Sequence, residues 1–253
     1  MNTPRLGVFA KLVMTLSLLG FALLFSNCSP PLLMGPGSSN GVPFLVVVNG
    51  ISENLSFMDS PGGQLYESAV PTGQAPNQIY RKGSDVYVVN SLSNSILKYD
   101  IDGFSILNEF STGNGTNPFK MVIADDRIYV SAYLTHQLLI FNLSGGLLEN
   151  IDLAVLEEGG KTFYPFPQGI ATWGDYVFIA CMYSEENSAA KTMDPGRVAV
   201  YSIPDQNITG YIEASAQNTS AVNIDGDVLY VISSGAYDPD SDGYDESGKI
   251  ETL

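Results

Sequence analysis

An all-β chain built from repeated four-stranded sheets is what this sequence predicts, and three observations carry that prediction. Four segments share one pattern: PNQIYRKGSDVYVVN (76–90), PFKMVIADDRIYVSA (118–132), PQGIATWGDYVFIAC (167–181) and TSAVNIDGDVLYVIS (219–233). Each opens on Pro or Thr, runs through a short apolar strand (a), turns at a polar pair, and enters a β-branched and aromatic strand (b). The first and last residues lie 14 positions apart in all four. A second element spans 10 positions in NGISENLSFMD (49–59), NSLSNSILKYD (90–100) and AYLTHQLLIFN (132–142), reading strand end, tight polar turn, alternating strand (c). Finally, no stretch after Phe25 sustains the apolar period of a helix.

A further strand (d) closes each unit in GGQLYESAV, GFSILNEFS, GGLLENIDL and NITGYIEAS, and the order a-b-c-d returns every 41 to 52 residues. That is the spacing of β-propeller blades. One such sheet cannot bury both of its faces, so successive sheets must stack about an axis. A β-sandwich accounts for the strands but not for their repeating register.

The expected blades are 44–70, 76–111, 118–153, 167–214 and 219–253. The first opens on a b strand (FLVVVN, 44–49) and the last closes on a c strand (KIETL, 249–253), which makes eighteen strands. A ring entered at strand b ordinarily receives strand a from its other end, protecting the edge. The expectation is therefore a truncated ring of six to eight blades, of which about five are present; a distorted five-blade closure is the rival.

At VYVVNSLSNSILKYD and IYVSAYLTHQLLIFN the chain resembles the YVTN-type, YncE-like β-propellers, with Val88-Val89-Asn90 standing where that family has its VTN. The resemblance covers residues 44–253 and implies the fold strongly and the function weakly, because propellers host enzymes, binders and scaffolds alike.

Residues 1–27 read as an address. Arg5 and Lys11 precede a 14-residue apolar stretch, Leu12 to Phe25, too short for an ordinary membrane span but suited to a signal peptide. The segment resembles a bacterial lipoprotein signal, which implies lipidation of Cys28; Phe25 and Asn27 depart from the usual Leu and small residue at those positions. A plain secretory signal is the alternative. Residues 28–43, rich in Pro, Gly and Ser, form the expected tether. With Cys28 acylated only Cys181 remains, which excludes an intramolecular disulfide.

The net charge of −16 rests on 27 acidic against 11 basic side chains. Such a surface repels phosphate backbones, so nucleic acid is excluded as a partner. Cations and basic partners are the electrostatically matched ligands.

Most connections are short, but residues 155–166, 182–196 and 234–248 read as long loops on the face where the d-to-a and b-to-c connections emerge. That face gathers Tyr164, Phe166, Tyr183, Glu185 and Glu186 as an acidic and aromatic ligand surface. Within the last loop, Asp238, Asp240 and Asp242 alternate before Gly243, with the Tyr244 carbonyl and Glu246 following. Alternate carboxylates converge on a hard cation while glycine permits the turn, so a structural Ca²⁺ is expected there. Lys249 stands where an EF-hand needs Glu, and the pattern instead resembles the Ca²⁺ hairpin loops of integrin-type propellers. The single His136 sits in a short turn, which excludes multi-histidine metal sites.

The expected function is a non-catalytic binding or scaffold module, anchored in the bacterial cell envelope by its lipid, with a protein, peptide or glycan ligand. The alternative is a propeller enzyme of lactonase or quinoprotein-like type using Arg81, Lys82, Lys120, Asp125 or Asp225 on or beside strand a.

Overall fold

The computed structural model describes residues 45–58, 61–185, 193–238, 243–244 and 247–252. Every regular element among them is a β-strand. The first sheet holds β1 (Leu45–Asn49), β2 (Asn54–Met58) and β3 (Leu65–Pro71). The second holds β4 (Pro76–Lys82), β5 (Asp85–Asn90), β6 (Ser95–Asp100) and β7 (Ile106–Ser111). The third holds β8 (Pro118–Ala124), β9 (Arg127–Ala132), β10 (Gln137–Asn142) and β11 (Leu147–Asp152). All are antiparallel meanders, the first in the order b-c-d and the second and third in the order a-b-c-d.

The fourth sheet is larger. Its strands are β12 (Leu156–Glu158), β13 (Lys161–Trp173), β14 (Tyr176–Glu185), β15 (Met193–Ser202) and β16 (Asn207–Gln217). The fifth holds β17 (Thr219–Asp225), β18 (Val228–Ser233) and β21 (Lys249–Thr252), with a separate hairpin of β19 (Tyr237–Asp238) and β20 (Gly243–Tyr244). The expected eighteen strands are all present, joined by β12, β19 and β20. No strand of the first sheet pairs with one of the fifth among the described residues.

The loops expected over 155–166 and 182–196 need correction, because strand continues into both. Residues 161–166 extend β13, residues 182–185 extend β14, and Met193 begins β15. Burial alternates along 161–166, with Phe163 and Pro165 inward and Tyr164 and Phe166 outward, so the period of two runs on beyond the repeat boundary.

Local chemistry explains the turns. The a-to-b hairpin of the third sheet turns on Asp125 and Asp126, both left-handed at φ 46° and 54°, the requirement of a type I′ turn that matches strand twist. The b-to-c turns place a left-handed residue just before strand c: Glu53, Asn94 and His136, at φ 54°, 51° and 60°. The carbonyl of each accepts the N–H of the residue just after strand d, from Thr72, Thr112 and Leu153 at 2.9, 2.8 and 3.0 Å. One geometry thus closes three successive sheets.

In the second and third sheets strand b is buried on both sides, which is why it reads as an unbroken apolar run, and strand d lies outermost and is largely exposed. Four apolar clusters fill the four spaces between neighbouring sheets. Val86, Val88 and Tyr99 meet Leu55 and Phe57; Tyr87, Val89 and Ile96 meet Met121, Ile128 and Val130. Tyr129, Leu138 and Ile140 then meet Val177, Ile179 and Tyr201, and Ala180 and Val198 meet Leu229 and Val231. Polar ties join the inner strands: the Gln78 side chain accepts from the Met121 N–H at 2.6 Å and donates to the Met121 carbonyl at 3.1 Å. Ser131 Oγ donates to the Gln168 carbonyl at 2.7 Å. At Gly169 a Cβ would lie 2.6 Å from Ala221 Cα, so only glycine lets these two inner strands approach so closely.

Cys181 is fully buried in the third interface, and burial pushes its thiol from 9.0 up to about 12. The folded protein therefore holds this proton where the unfolded chain releases it. Stability falls as pH rises through the interval from 9.0 to about 12. Urea midpoints measured across that interval will drop less for Cys181→Ala than for the unsubstituted chain; equal slopes would contradict this.

Candidate ligand-binding site

The long strands of the fourth sheet build the most distinctive surface. β13 has 13 residues and β14 has 10, against 6 or 7 for the a and b strands of the second and third sheets. The extra ladder pairs Phe163 with Glu185, Tyr164 with Ser184, Pro165 with Tyr183 and Phe166 with Met182. β12 folds back on its end, pairing Leu156 with Phe163. Side chains here stand on hydrogen-bonded strand, a stiffer support than a free loop.

Tyr164 and Phe166 both meet the His136 ring, a residue that sequence reasoning left apart from them. The His136 ring lies 5.4 Å from that of Tyr164 and meets Phe166 edge-on at 4.7 Å. Phe166 continues to Tyr133 at 5.1 Å, and Tyr133 to Phe119 at 5.9 Å. The result is a strip of five rings, each partly open to solvent, from the third sheet to the fourth. Offset and edge-on contacts of this kind favour aromatic association beyond area alone.

His136 is a latch in this strip, not a solvated turn residue. In the second sheet Asn94 holds the equivalent position, and its Oδ1 accepts the Asn117 N–H at 2.9 Å. In the repeat register, where Pro118 matches Pro167, Asn117 corresponds to Phe166, one residue beyond the point that His136 grips. His136 Nδ1 instead lies 2.6 Å from the Pro165 carbonyl. A carbonyl only accepts, so Nδ1 carries the proton. The same turn position grips the incoming chain of the next sheet in both cases, with the polarity of the bond reversed.

Two expected face residues have other work. Tyr183 is 1 % exposed, which corrects its assignment to the ligand surface. Its hydroxyl donates to the Ala154 carbonyl at 3.0 Å, and the Arg197 guanidinium lies 5.5 Å from its ring centroid. Burial raises its phenol well above the ordinary range. Tyr183 is buried because its partner across the ladder, Pro165, turns that side inward. Glu185 pairs with Lys161 at 2.5 Å, so its charge is shared. Glu186 lies outside the described residues, as does Cys28.

Of the cation loop, Asp240, Asp242 and Glu246 lie outside the described residues. Its flanks are described by backbone: Asp238 pairs with Gly243 and Tyr237 with Tyr244, a short hairpin between β18 and β21. Among the described residues no group of three or more His, Cys, Asp or Glu could hold a metal ion.

The strand-a residues considered for catalysis are dispersed near the a-to-b turns, at the opposite strand end from the aromatic strip. Arg81 Nε donates to the Gly83 carbonyl at 2.9 Å, and Lys82 pairs with Asp126 of the third sheet at 3.1 Å. Asp125 occupies the turn itself, and Asp225 ends β17. Lys120 lies on β8 nearer the strip, and its N–H donates to Ser131 Oγ at 3.0 Å. An apolar cavity of about 210 Å³ also opens at the turn end between the fourth and fifth sheets, lined by Trp173, Phe178, Ile212, Ile224, Asp227 and Leu229. The lone Trp beside a turn was the only sequence signal for it.

No protein-family model matches the sequence, and no curated protein matches it. Solved structures do. The chain superposes on virginiamycin B lyase from Staphylococcus aureus with a TM-score of 0.55 and 15 % identity, over 84 % of this chain and 67 % of that one. A protein of unknown function from Bacteroides caccae matches with a TM-score of 0.54 and 14 % identity, over 79 % and 76 % of the two chains. A streptogramin B lyase gives 0.50 and 15 %, over 82 % and 67 %. At such identities the likeness concerns architecture alone, and with the stacked antiparallel sheets it establishes that the chain has the β-propeller fold.

Proposed function

We propose that this chain is a lipid-anchored envelope protein of a bacterium whose propeller binds a protein, peptide or glycan on the aromatic strip and performs no catalysis. The observation that carries the reading is the strip itself: Phe119, Tyr133, Phe166, His136 and Tyr164 form one unbroken series of ring contacts. Its rings are partly exposed yet held by strand ladder and by the His136 latch. Rigid aromatic side chains give large contact area at small entropic cost, which is what recognition surfaces use.

Full-length chain applied to glycan and peptide arrays should retain ligands that the Tyr164→Ala/Phe166→Ala double variant loses by about tenfold or more, the scale of a hot-spot truncation. Unchanged array signals from a variant of unaltered melting temperature would remove the strip from the reading.

The anchor rests on Arg5, Lys11, the apolar run to Phe25, and Cys28 followed by a Pro- and Gly-rich tether. In fractionated cells Cys28→Ala is expected to leave the membrane fraction; retention there at the level of the unsubstituted protein would argue against lipidation.

A Ca²⁺ held by Asp238, Asp240, Asp242, Glu246 and the Tyr244 carbonyl would pin the last loop, the paired backbones of Asp238 and Gly243 bracketing it as a hairpin. Calorimetric titration should give a heat of Ca²⁺ binding that Asp240→Ala abolishes. An identical melting temperature in Ca²⁺ and in EDTA would dismiss the ion.

A further inference from the structure

Between the third and fourth sheets, at the strand end opposite the aromatic strip, a polar cavity of about 410 Å³ opens. Asp125 and Arg127 line it from the third sheet, and Asp175, Ile203 and Pro204 from the fourth. Arg127 shares a face of β9 with Tyr129, two residues on, and that face looks toward the fourth sheet. Among the described residues no ion pair engages Asp125, Arg127 or Asp175.

Beside these charges lie two hydroxyls with nothing to bind. Tyr129 and Tyr201 are fully buried with their rings 5.8 Å apart, and neither hydroxyl has a hydrogen-bond partner. Burial pushes the Tyr201 phenol up to about 12; Glu149 and Tyr129 add to the rise and Arg127 opposes it. Burial raises the Tyr129 phenol as well, with Arg127 lowering it and Asp125 raising it. Both hydroxyls thus stand in the field of the cavity's charges and keep a proton to donate. A buried hydroxyl without a partner is unfavourable, so two of them at one place mark the seat of a polar guest.

At the preceding interface the equivalent groups close on one another. Asp85 holds the ladder position of Arg127 and pairs with Lys98 at 2.7 Å, and Lys98 lies over the Tyr87 ring at 5.5 Å. The Tyr87 hydroxyl is also unpartnered, but the counterpart of Tyr201 there is Phe141, which brings no second hydroxyl.

One guanidinium and two carboxylates call for the converse set, one carboxylate and two cations, on a short apolar stem that suits Ile203 and Pro204. We propose that the cavity binds a free basic amino acid, its carboxylate on Arg127 and the two tyrosine hydroxyls, its two cationic groups on Asp125 and Asp175. The overall charge of −16 draws such a ligand toward the protein.

Isothermal titration of the purified full chain in nonionic detergent with L-lysine tests this. L-Lysine should bind. Cadaverine lacks the carboxylate, and Nα-acetyl-L-lysine lacks the α-ammonium and mimics a peptide C-terminus; each should bind at least about tenfold more weakly. Arg127→Gln should weaken L-lysine by about tenfold and leave cadaverine no weaker, whereas Asp175→Asn should weaken both, each with an unchanged melting temperature. Tyr201→Phe copies Phe141 of the third sheet, so it should fold normally and still bind L-lysine less tightly. No heat with L-lysine from the unsubstituted chain would overturn the proposal. So would an Arg127→Gln variant that still prefers L-lysine to cadaverine, or equal affinity for Nα-acetyl-L-lysine, which would assign the cavity to peptide C-termini.

Discussion

Everything in this molecule depends on strand b being buried from both sides. Tyr87, Val89 and Ile96 press forward while Val86 and Val88 press back, and the same alternation recurs at Ile128 to Val130 and at Val177 to Cys181. Burying one such aliphatic side chain stabilises the fold by about 1.5–3 kcal/mol. A sheet isolated from its neighbours would expose both of these apolar faces, so no sheet is stable alone and each holds its neighbours in register. The inner strands add direction to this packing, through the paired hydrogen bonds of Gln78 to Met121 and the close approach at Gly169.

A stack governed by one packing rule leaves variation to its ends and rims. The fourth sheet uses that freedom by running its inner strands past the usual boundary, which lifts Tyr164 and Phe166 alongside the turn of the third sheet. The turn answers with His136 in the left-handed position that Asn94 fills one sheet earlier. The acceptor that Asn94 offers to the Asn117 N–H is exchanged here for a donor, His136 Nδ1, which grips the Pro165 carbonyl. A structural latch and a row of aromatic rings thus arise from the same residue. Tyr183, one strand away, shows the other outcome of the extension: its ring turns inward and its hydroxyl secures Ala154.

Charge is distributed with the same economy. Among the described residues the ion pairs tie neighbouring elements, Lys82 to Asp126 between sheets and Lys98 to Asp85 and Arg197 to Glu213 within them. They are at least partly solvated and contribute modestly to stability. The excess of acid is left to the surface, where it favours solubility and cationic partners.

The sequence by itself determined the sheets, because the 14- and 10-residue registers encode local pairing: Pro76 with Asn90, Pro118 with Ala132, Pro167 with Cys181, Thr219 with Ser233. Short-range pairing of this kind is written in adjacent residues, so the order a-b-c-d and the a-to-b turn positions could be read directly. Tertiary structure alone decided what the fourth sheet does. The runs 161–166 and 182–185 contain Pro, Glu and Lys and look like loop in isolation, yet they gain a ladder because each finds the other opposite it. It also decided that Tyr183 is buried, that Glu185 shares its charge with Lys161, and that Phe119, Tyr133, His136 and Phe166, from separate turns and strands, touch. The ring contacts between sheets join residues up to 33 positions apart, Tyr133 and Phe166, and only the stacking of one sheet on the next brings them within reach.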